Sequence, residues 1–171
     1  MERDTFCSYC GTRYDDLSGY PRTCPSCGKQ IWDNPTPVAV VLQPVVESDR
    51  TGLLVVRRAI PPVGKLALVG GFVEANETWQ ECAARELLEE ASVVISPESL
   101  SPLWFVSVPY CILLFSVAPP LSELPTFVVN SEASERRVIF EPEELAFAAH
   151  TEATRKFFES DSLMRSHYRQ S

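Results

Sequence analysis

The sequence lacks the segments that place a chain in or across a membrane. None of its apolar runs approaches the roughly 20 residues that a membrane-spanning helix needs. The opening residues MERDTFCSYC have neither a basic region nor an apolar stretch behind it, so we expect no secretory signal. These two absences predict a cytoplasmic protein with no membrane partner.

Basic residues are also scarce. The 15 lysines and arginines are outnumbered by 23 aspartates and glutamates, which gives a net charge of −8. Because nucleic-acid binding generally depends on basic patches, this balance argues against a nucleic-acid partner. The two histidines are isolated and show no ligand spacing. Hydrophobic residues make up 45% of the 171 residues, which is enough for one well-packed domain and a small appendage.

Residues 1–33 have few aliphatic side chains but hold four of the six cysteines. The four form two C-x₂-C pairs separated by thirteen residues: Cys7, Cys10, Cys24 and Cys27. In a reducing compartment this spacing favours one tetrahedral Zn²⁺ over disulfides, which are the alternative. Four thiolates leave no open coordination position, so the zinc would be structural. We expect a zinc ribbon over residues 1–33 and a main domain over residues 34–171.

A cluster of glutamates marks the middle of the chain. Glu86, Glu89 and Glu90 stand at i, i+3 and i+4, so on a helix they share one face. Like charges at this spacing repel each other, and a bound cation would offset the repulsion. Hard ions such as Mg²⁺ or Mn²⁺ prefer oxygen ligands. The alternative is a solvated acidic helix face.

The stretch GFVEANETWQECAARELLEEASV, residues 71–93, resembles the signature of the Nudix hydrolases. That signature is Gly, five residues, Glu, seven residues, Arg-Glu, an aliphatic residue, any residue, Glu-Glu, any residue, Gly and an aliphatic residue. Every fixed position matches except the last glycine, where Ser92 stands. The resemblance covers roughly residues 35–160 and implies an α/β (α+β) fold, an α/β/α sandwich with a mixed sheet.

The hydrophobic pattern agrees with this fold class. A Thr78 cap followed by Glu81 predicts a helix that runs to Ala91. Its apolar stripe is expected to be Ala84, Leu87, Leu88 and Ala91. We expect a mixed sheet of six or more strands and two further helices. The predicted strands are 37–46, 53–58, 66–74, 103–108, 111–117, 126–129 and 136–140, and the further helices are 143–149 and 151–160.

The resemblance assigns roles to individual residues. Glu86, Glu89 and Glu90 are expected to bind Mg²⁺ or Mn²⁺, with a carbonyl of Gly70 or Gly71 as a further ligand. Arg85 is expected to support the site by holding a glutamate, Glu77 in the first place. The general base is left open among Glu86, Glu132 and Glu135. The candidate substrate-binding residues are Arg57, Arg58 and Lys65.

The arrangement of ribbon and signature resembles the branch that includes FAD, ADP-ribose and NADH pyrophosphatases. We therefore expect a small nucleotide substrate, release of a nucleoside monophosphate, and a homodimer. Residues 132–138 and 143–147 look like the FAD or ADP-ribose type, and the SQPWPFP-like string of the NADH type is absent. A non-catalytic ligand sensor and an enzyme that removes NAD caps from RNA are the alternatives, although the acidic charge counts against the second.

Four residues depart from the usual Nudix pattern. Asn76 stands where glycine is common, and asparagine tolerates the left-handed backbone that the turn requires. Ser92 is a poorer left-handed helix cap than glycine, so a cost of about 1 kcal/mol or a different turn is expected. Leu66 and Val69 replace a tryptophan and a proline, and are expected to reshape the substrate pocket.

Overall fold

The structure, a computed structural model, describes residues 4–159 of the chain. These residues form two compact units, the first ending at Pro35 and the second beginning at Thr36. Neither helix in this range has the length and apolarity that a membrane crossing requires. The last residue of the helix predicted over 151–160 lies outside the described residues.

Few apolar side chains hold the first unit together. Its two short strands, β1 (Arg22–Thr23) and β2 (Gln30–Ile31), form an antiparallel pair. The buried Arg22 guanidinium donates hydrogen bonds to backbone carbonyls and lies over the ring of Tyr20. The buried apolar residues are Cys7, Tyr14, Cys24 and Ile31. Two of these four residues are cysteines, so the apolar core of this unit is small. A ligand bound by the cysteines would therefore add to the stability of the unit.

Eight strands and two α-helices build the second unit as far as Glu159. The strands are β3 (Thr36–Leu42), β4 (Pro44–Glu47), β5 (Arg50–Arg58), β6 (Leu66–Ala67), β7 (Val69–Phe72), β8 (Ser101–Val108), β9 (Cys111–Val117) and β10 (Ala133–Ile139). The helices are α1 (Trp79–Ala91) and α2 (Ala148–Glu159), with a 3₁₀ turn at Pro97–Ser99.

The strands form two four-stranded sheets. One has the order β7-β3-β9-β8 and is mixed, because β3 runs parallel to β9. The other is antiparallel, with the order β10-β5-β4 and β6 also paired to β5. The chain passes from the first sheet to the second at Gln43. The carbonyl of Leu42, the last residue of β3, accepts from the N–H of Ala118, which follows β9. The carbonyl of Gln43 accepts from the N–H of Leu54 in β5 of the other sheet. Pro44, which has no N–H, cannot extend the β3 ladder.

Strands β3 and β5 carry apolar side chains on both faces, so they belong to two cores. Ala39 and Val41 of β3 pack in a core shared with α1. Val40 and Leu42 pack in a second core shared with α2. Because successive side chains of a strand point to opposite faces, the two cores lie on opposite sides of the sheets, with one helix on each side. The α/β/α sandwich predicted from the sequence is confirmed.

Several predicted elements are wrong. The strands form two sheets instead of one, and the described residues contain two α-helices instead of three. Residues 126–129 form no strand, because the Val128 N–H donates to the Ser92 side chain instead of to a neighbouring strand. Residues 143–147 are not helical, because the N–H groups of Leu145 and Ala146 donate to Thr151 and Leu66. These tertiary hydrogen bonds override the local preference.

The two residues that depart from the Nudix pattern on strands β6 and β7 are buried. Leu66 is 7% exposed in the core shared with α2, and Val69 is fully buried in the core shared with α1. Both side chains therefore lie in the interior, on strands paired with β5 and β3. An effect of these two residues on a substrate pocket stays a prediction.

Candidate active site

Strand β7 brings two glycines against helix α1. A Cβ atom on Gly71 would lie 2.0 Å from Oε1 of Glu86, and one on Gly70 would lie 2.2 Å from the carbonyl oxygen of Ala39. The Gly70 N–H donates to Oε2 of Glu90 at 3.2 Å. A side chain at Gly71 would displace the Glu86 carboxylate, and one at Gly70 would clash with the backbone of β3, so the two glycines permit these close contacts of β7.

The start of α1 agrees with the sequence prediction. Oγ1 of Thr78 accepts from the N–H of Glu81 at 3.2 Å, and the Glu81 carboxylate accepts from the Thr78 N–H at 2.7 Å. This reciprocal capping box satisfies two N–H groups that the helix leaves unpaired. Asn76 just before it has a φ of 69°, the left-handed conformation expected there. The turn and the cap together fix the first residue of the helix.

The buried face of α1 differs from the predicted apolar stripe. Leu88 is 52% exposed and Ala84 is half-buried, whereas Cys82, Ala83, Leu87 and Ala91 are buried. Glu86 and Glu90 are buried as well, at 7% and 4% exposure. Two of the carboxylates expected to bind a metal ion are therefore buried where α1 meets β7, and the alternative of a solvated face is wrong for them. Gly71 contributes to this burial, because it has no side chain where the Glu86 carboxylate lies.

Arg85 links the glutamates to one another. Its guanidinium donates two hydrogen bonds to Glu77, at 2.8 and 3.1 Å, so the expected contact is present. It also donates to Glu86 at 2.7 Å and to Glu89 at 3.0 Å. These hydrogen bonds keep the pKa of Glu77 below its usual value and raise that of Arg85. One cation thus offsets the repulsion among three carboxylates.

Burial has the opposite effect on the other two carboxylates. It raises the pKa of Glu90 to about 7, although the hydrogen bond from the Gly70 N–H lowers this pKa. The negative charges of Glu86 and Glu132 raise it further. Burial also raises the pKa of Glu86, while Arg85 opposes the change. When ionised, both groups carry negative charge in a poorly hydrated place; Arg85 compensates that of Glu86 in part, and Glu90 accepts a hydrogen bond from the Gly70 N–H. Such an arrangement favours either a proton or a cation.

The donor set fits a hard divalent ion. Each buried carboxylate has one oxygen that is hydrogen-bonded, Oε1 of Glu86 and Oε2 of Glu90. Their other oxygens receive no hydrogen bond from any donor within residues 4–159 and keep free lone pairs. Carboxylate oxygens with free lone pairs are suitable ligands for Mg²⁺ or Mn²⁺. Glu89 is directed to Arg85, so the three glutamates do not converge on one point.

The remaining predicted residues lie around the end of β5. Arg57 donates to Glu135 and to the carbonyl of Gly64, so both charged groups of this pair are engaged. Arg58 donates to the Pro61 carbonyl and lies over the ring of Phe147. The two arginines thus contact different partners, as expected for neighbours on a strand. Lys65 follows Gly64 in the adjoining exposed loop.

Two residues near the site were not predicted to matter. Asn130 donates from its side chain to the carbonyl of Glu89 at 2.8 Å and accepts from the Glu132 N–H at 2.9 Å. An asparagine in a loop often accepts a hydrogen bond from the backbone N–H two residues later, which makes an Asx turn. This residue type in the loop before Glu132 is a signal that could have identified Asn130. His150 is buried, accepts from the Leu68 N–H at 3.2 Å, and has its pKa lowered to about 4 by burial. It is a satisfied core histidine.

The first unit holds a separate cluster of possible metal ligands. The sulfur atoms of its four cysteines lie within 4.8 Å of one another, and none of the six cysteines forms a disulfide. The Cys7–Cys27 and Cys10–Cys24 sulfurs are 3.7 and 3.6 Å apart. A tetrahedral ion with metal–sulfur bonds of about 2.3 Å would give edges of about 3.8 Å. The four cysteines could therefore hold a metal ion such as Zn²⁺ without rearrangement.

Comparisons with known proteins agree with this geometry. A family model described as the NUDIX domain matches residues 35–160. The NAD-capped RNA hydrolase NudC of Pseudomonas aeruginosa is 34% identical over 93 residues, which are 53% of this chain and 32% of that protein. The ADP-ribose pyrophosphatase of Methanocaldococcus jannaschii is 40% identical over 62 residues, 36% of this chain and 37% of that protein. The matches thus span about a third of each relative's length.

A solved structure shows a similarity over a longer range. The crystal structure of a NUDIX hydrolase from Nitrosomonas europaea matches with a TM-score of 0.71 at 27% sequence identity. The match covers 92% of this chain and 92% of that one. The fold of the chain is therefore shared with that protein over nearly its full length.

The buried Glu90 predicts a pH-dependent stability without added Mg²⁺ or Mn²⁺. Because its pKa is raised to about 7 in the folded state, stability is lost as pH rises from about 4.5 to 7. Glu90→Gln has no charge to bury, so it should be more stable than the wild type at pH 8 by up to about 3 kcal/mol. Near pH 4.5 the difference should vanish. Urea unfolding of both proteins at several pH values measures it.

The matched control is Glu47→Gln, which changes an exposed carboxylate at the end of β4. It should leave the pH dependence of stability as it is in the wild type. A constant stability difference between Glu90→Gln and the wild type from pH 4.5 to pH 8 would contradict the role given to burial.

Proposed function

The chain belongs to the NUDIX family, and on that premise we propose that it hydrolyses the pyrophosphate bond of a nucleoside diphosphate derivative and releases a nucleoside monophosphate. One observation carries the proposal: Glu86 and Glu90 are buried beside Gly70 and Gly71, and each has a carboxylate oxygen without a donor. This arrangement does not stabilise the fold by itself, since burying two carboxylates that only one arginine partly neutralises is unfavourable. A divalent cation bound there would compensate the cost.

Glu86 and Glu90 are the proposed principal ligands of Mg²⁺ or Mn²⁺. Glu89 and the carbonyl of Gly71 are the further candidates, and the Gly71 carbonyl now accepts a weak contact from the Cys82 thiol at 3.6 Å. The ion, when bound, supplies charge neutralisation on the diphosphate and acidifies the attacking water. The role proposed for Arg85 is to keep the glutamates ionised and correctly oriented.

For the general base, the contacts favour Glu132 over Glu135. The Glu135 carboxylate is bound by Arg57, which lowers its availability as a proton acceptor. Glu132 is exposed, and its charge acts on both Glu86 and Glu90. A carboxylate near the metal ligands with no ion pair of its own among residues 4–159 is suited to accept the proton of the attacking water.

The proposed phosphate contact is Arg58. Its positive charge acts on Glu90, and its Nε atom is buried without a hydrogen-bond partner in the described part of the chain. A guanidinium with an unused donor can bind a phosphate oxygen after a small side-chain movement. Arg57 and Lys65 lie nearby and stay candidates for the remaining phosphate or ribose oxygens.

For the substrate, we propose a compound in which an adenosine diphosphate carries a second group. One relative is named for its action on NAD-capped RNA and another for its action on ADP-ribose. Both of these substrates contain an adenosine linked to a second group through a diphosphate. Removal of NAD caps from RNA is the second candidate function, supported by the 34% identity to NudC. The net charge of −8 counts against binding the RNA body. Cytoplasmic location stays a prediction from the absent signal and membrane segments, and a homodimer stays a prediction from the family resemblance.

For the first unit, we propose that Cys7, Cys10, Cys24 and Cys27 bind one structural Zn²⁺. The sulfur distances near those of a tetrahedral site support this assignment. The tight turns after each pair support it too, because Gly11 and Gly28 have positive φ angles and donate to the first cysteine of their pair. A bound ion would supply folding free energy that the small core cannot.

The first prediction of this proposal concerns the metal ligands. Glu90→Gln keeps the size of the side chain but removes a ligand charge, so kcat should fall by at least about 100-fold at saturating Mg²⁺. Glu81→Gln is the matched control on the same helix, since glutamine preserves the capping box, and its activity should match the wild type. Near-full activity of Glu90→Gln would refute the metal-site assignment.

The second prediction concerns zinc. Protein purified without a metal-binding tag should contain one zinc per chain by elemental analysis. Cys24→Ser should lose the zinc and unfold the first unit, as followed by proteolysis, while the second unit stays active. Cys111→Ser, which changes a cysteine of β9, should keep its zinc. Wild-type protein that lacks zinc after purification in zinc-supplemented medium would show the assignment to be wrong.

The third prediction concerns the substrate. With Mg²⁺ or Mn²⁺, ADP-ribose or FAD should be hydrolysed to AMP with a higher kcat/KM than NADH, because the NADH-type string is absent. ATP should be a poor substrate, since its terminal phosphate carries no second group. One assay compares kcat/KM for five substrates, with the products separated by chromatography. The substrates are ADP-ribose, FAD, NADH, ATP and an NAD-capped oligonucleotide.

Each possible result of this assay has a separate meaning. A preference for NADH would overturn the choice among dinucleotides but leave the hydrolysis intact. A preference for the capped oligonucleotide over free NADH would establish the second candidate function. A preference for ATP would refute the dinucleotide proposal as a whole.

A further inference from the structure

Helix α1 ends on a residue whose backbone is strained. Ser92 has φ 57° and ψ 30°, the left-handed conformation in which glycine is favoured over all other residues. Its N–H and that of Val93 donate to the carbonyls of Leu88 and Leu87, so the helix ends in a regular turn in spite of the substitution. The backbone of this turn would be at least as stable with glycine. A serine side chain here therefore requires a different explanation.

The hydroxyl of Ser92 has a partner outside the helix. Oγ of Ser92 accepts from the N–H of Val128 at 3.1 Å. Val128 belongs to the β9–β10 loop, residues 118–132, which connects two strands of different sheets and contains no helix or strand. Loops longer than about 12 to 15 residues without a helix or strand are uncommon and are often functional, and the β9–β10 loop is at the upper end of this range. Glycine in place of Ser92 would leave the loop without this attachment.

The β9–β10 loop leads directly to the proposed general base. Asn130, two residues after Val128, donates to the carbonyl of Glu89 at 2.8 Å. Its side-chain oxygen accepts from the N–H groups of Glu132 and Ala133, at 2.9 and 2.8 Å. The attachments of Val128 and Asn130 therefore fix the last part of the loop to the end of α1. Glu132 takes its position from this same segment.

We infer that Ser92 is a positioning residue that fastens the β9–β10 loop to helix α1 and thereby sets the position of Glu132 relative to Glu86 and Glu90. The metal ligands lie on the helix, whereas Glu132 lies on the loop, and Ser92 joins the two at the helix end. The inference rests on the proposed function, because it assigns to Ser92 an effect on the residue proposed to take the proton. It explains why a strained serine stands where the related signature has glycine.

The test compares three variants by kcat and KM for the best substrate. Ser92→Gly relieves the backbone strain but removes the acceptor, and Ser92→Ala removes the acceptor alone. Both should lower kcat by about five- to tenfold, the effect of one lost hydrogen bond, and change KM less than about twofold. Ser48→Gly is the matched control, because Ser48 is exposed, also has φ 57°, and lies in the β4–β5 turn, on neither α1 nor the β9–β10 loop. Its kcat should equal that of the wild type.

A double-mutant cycle separates positioning from a general loss of structure. If Ser92 acts through Glu132, Ser92→Gly should lower kcat by less than about twofold in a Glu132→Gln background. A merely structural role would give the same fold-loss in both backgrounds. Such additivity, or a Ser92→Gly variant with wild-type kcat, would overturn the inference.

Amide hydrogen exchange tests the attachment without using activity. The Val128 amide should exchange faster in Ser92→Gly than in the wild type, while it is unchanged in Ser48→Gly. Equal Val128 exchange in all three proteins would also overturn the inference. A wild-type chain inactive on every substrate would refute the proposed function instead, and the exchange of Val128 would still decide whether Ser92 holds the loop.

Discussion

The Arg85 guanidinium is the interaction on which the arrangement of the candidate site depends. It binds Glu77, Glu86 and Glu89 at once, so three carboxylates of like charge can lie close together. Without this cation, the repulsion among neighbouring glutamates on one helix face would destabilise α1. Among residues 4–159, Glu90 has no hydrogen bond to Arg85 and accepts one from the Gly70 N–H. The protein therefore neutralises the site only in part, and the proposed metal ion would compensate the rest.

Close approach of helix and strand makes this electrostatic arrangement possible. Gly71 has no side chain where the Glu86 carboxylate lies, and the Gly70 N–H donates to Glu90. The same contact gives Glu90 its raised pKa, since water is excluded where the helix meets the strand. Packing and chemistry are thus linked: a substitution that separates helix and strand would hydrate the carboxylates and change their affinity for cations. The two cores on either side of β3 and β5 keep this geometry rigid.

Local sequence patterns predicted the helix of the site well. The capping box at Thr78, the helix end at Ala91 and the contact between Arg85 and Glu77 involve residues within one helix and its preceding turn. Interactions over such short separations are set by side-chain type and helical spacing. The elements predicted at 126–129 and 143–149 failed because their N–H groups donate to partners distant in sequence, among them Ser92 and Leu66.

The sequence by itself determined the family, the α/β/α fold class and the residue types of the two candidate metal sites, because these depend on spacing along the chain. Only the tertiary structure decided that Glu86 and Glu90 are buried, that Arg57 binds Glu135, and that Asn130 and Ser92 attach the β9–β10 loop to α1. The physical reason is the same in each case. Burial, ion pairing and loop attachment depend on which strand or loop lies against a residue, and residues tens of positions away in the chain supply those neighbours.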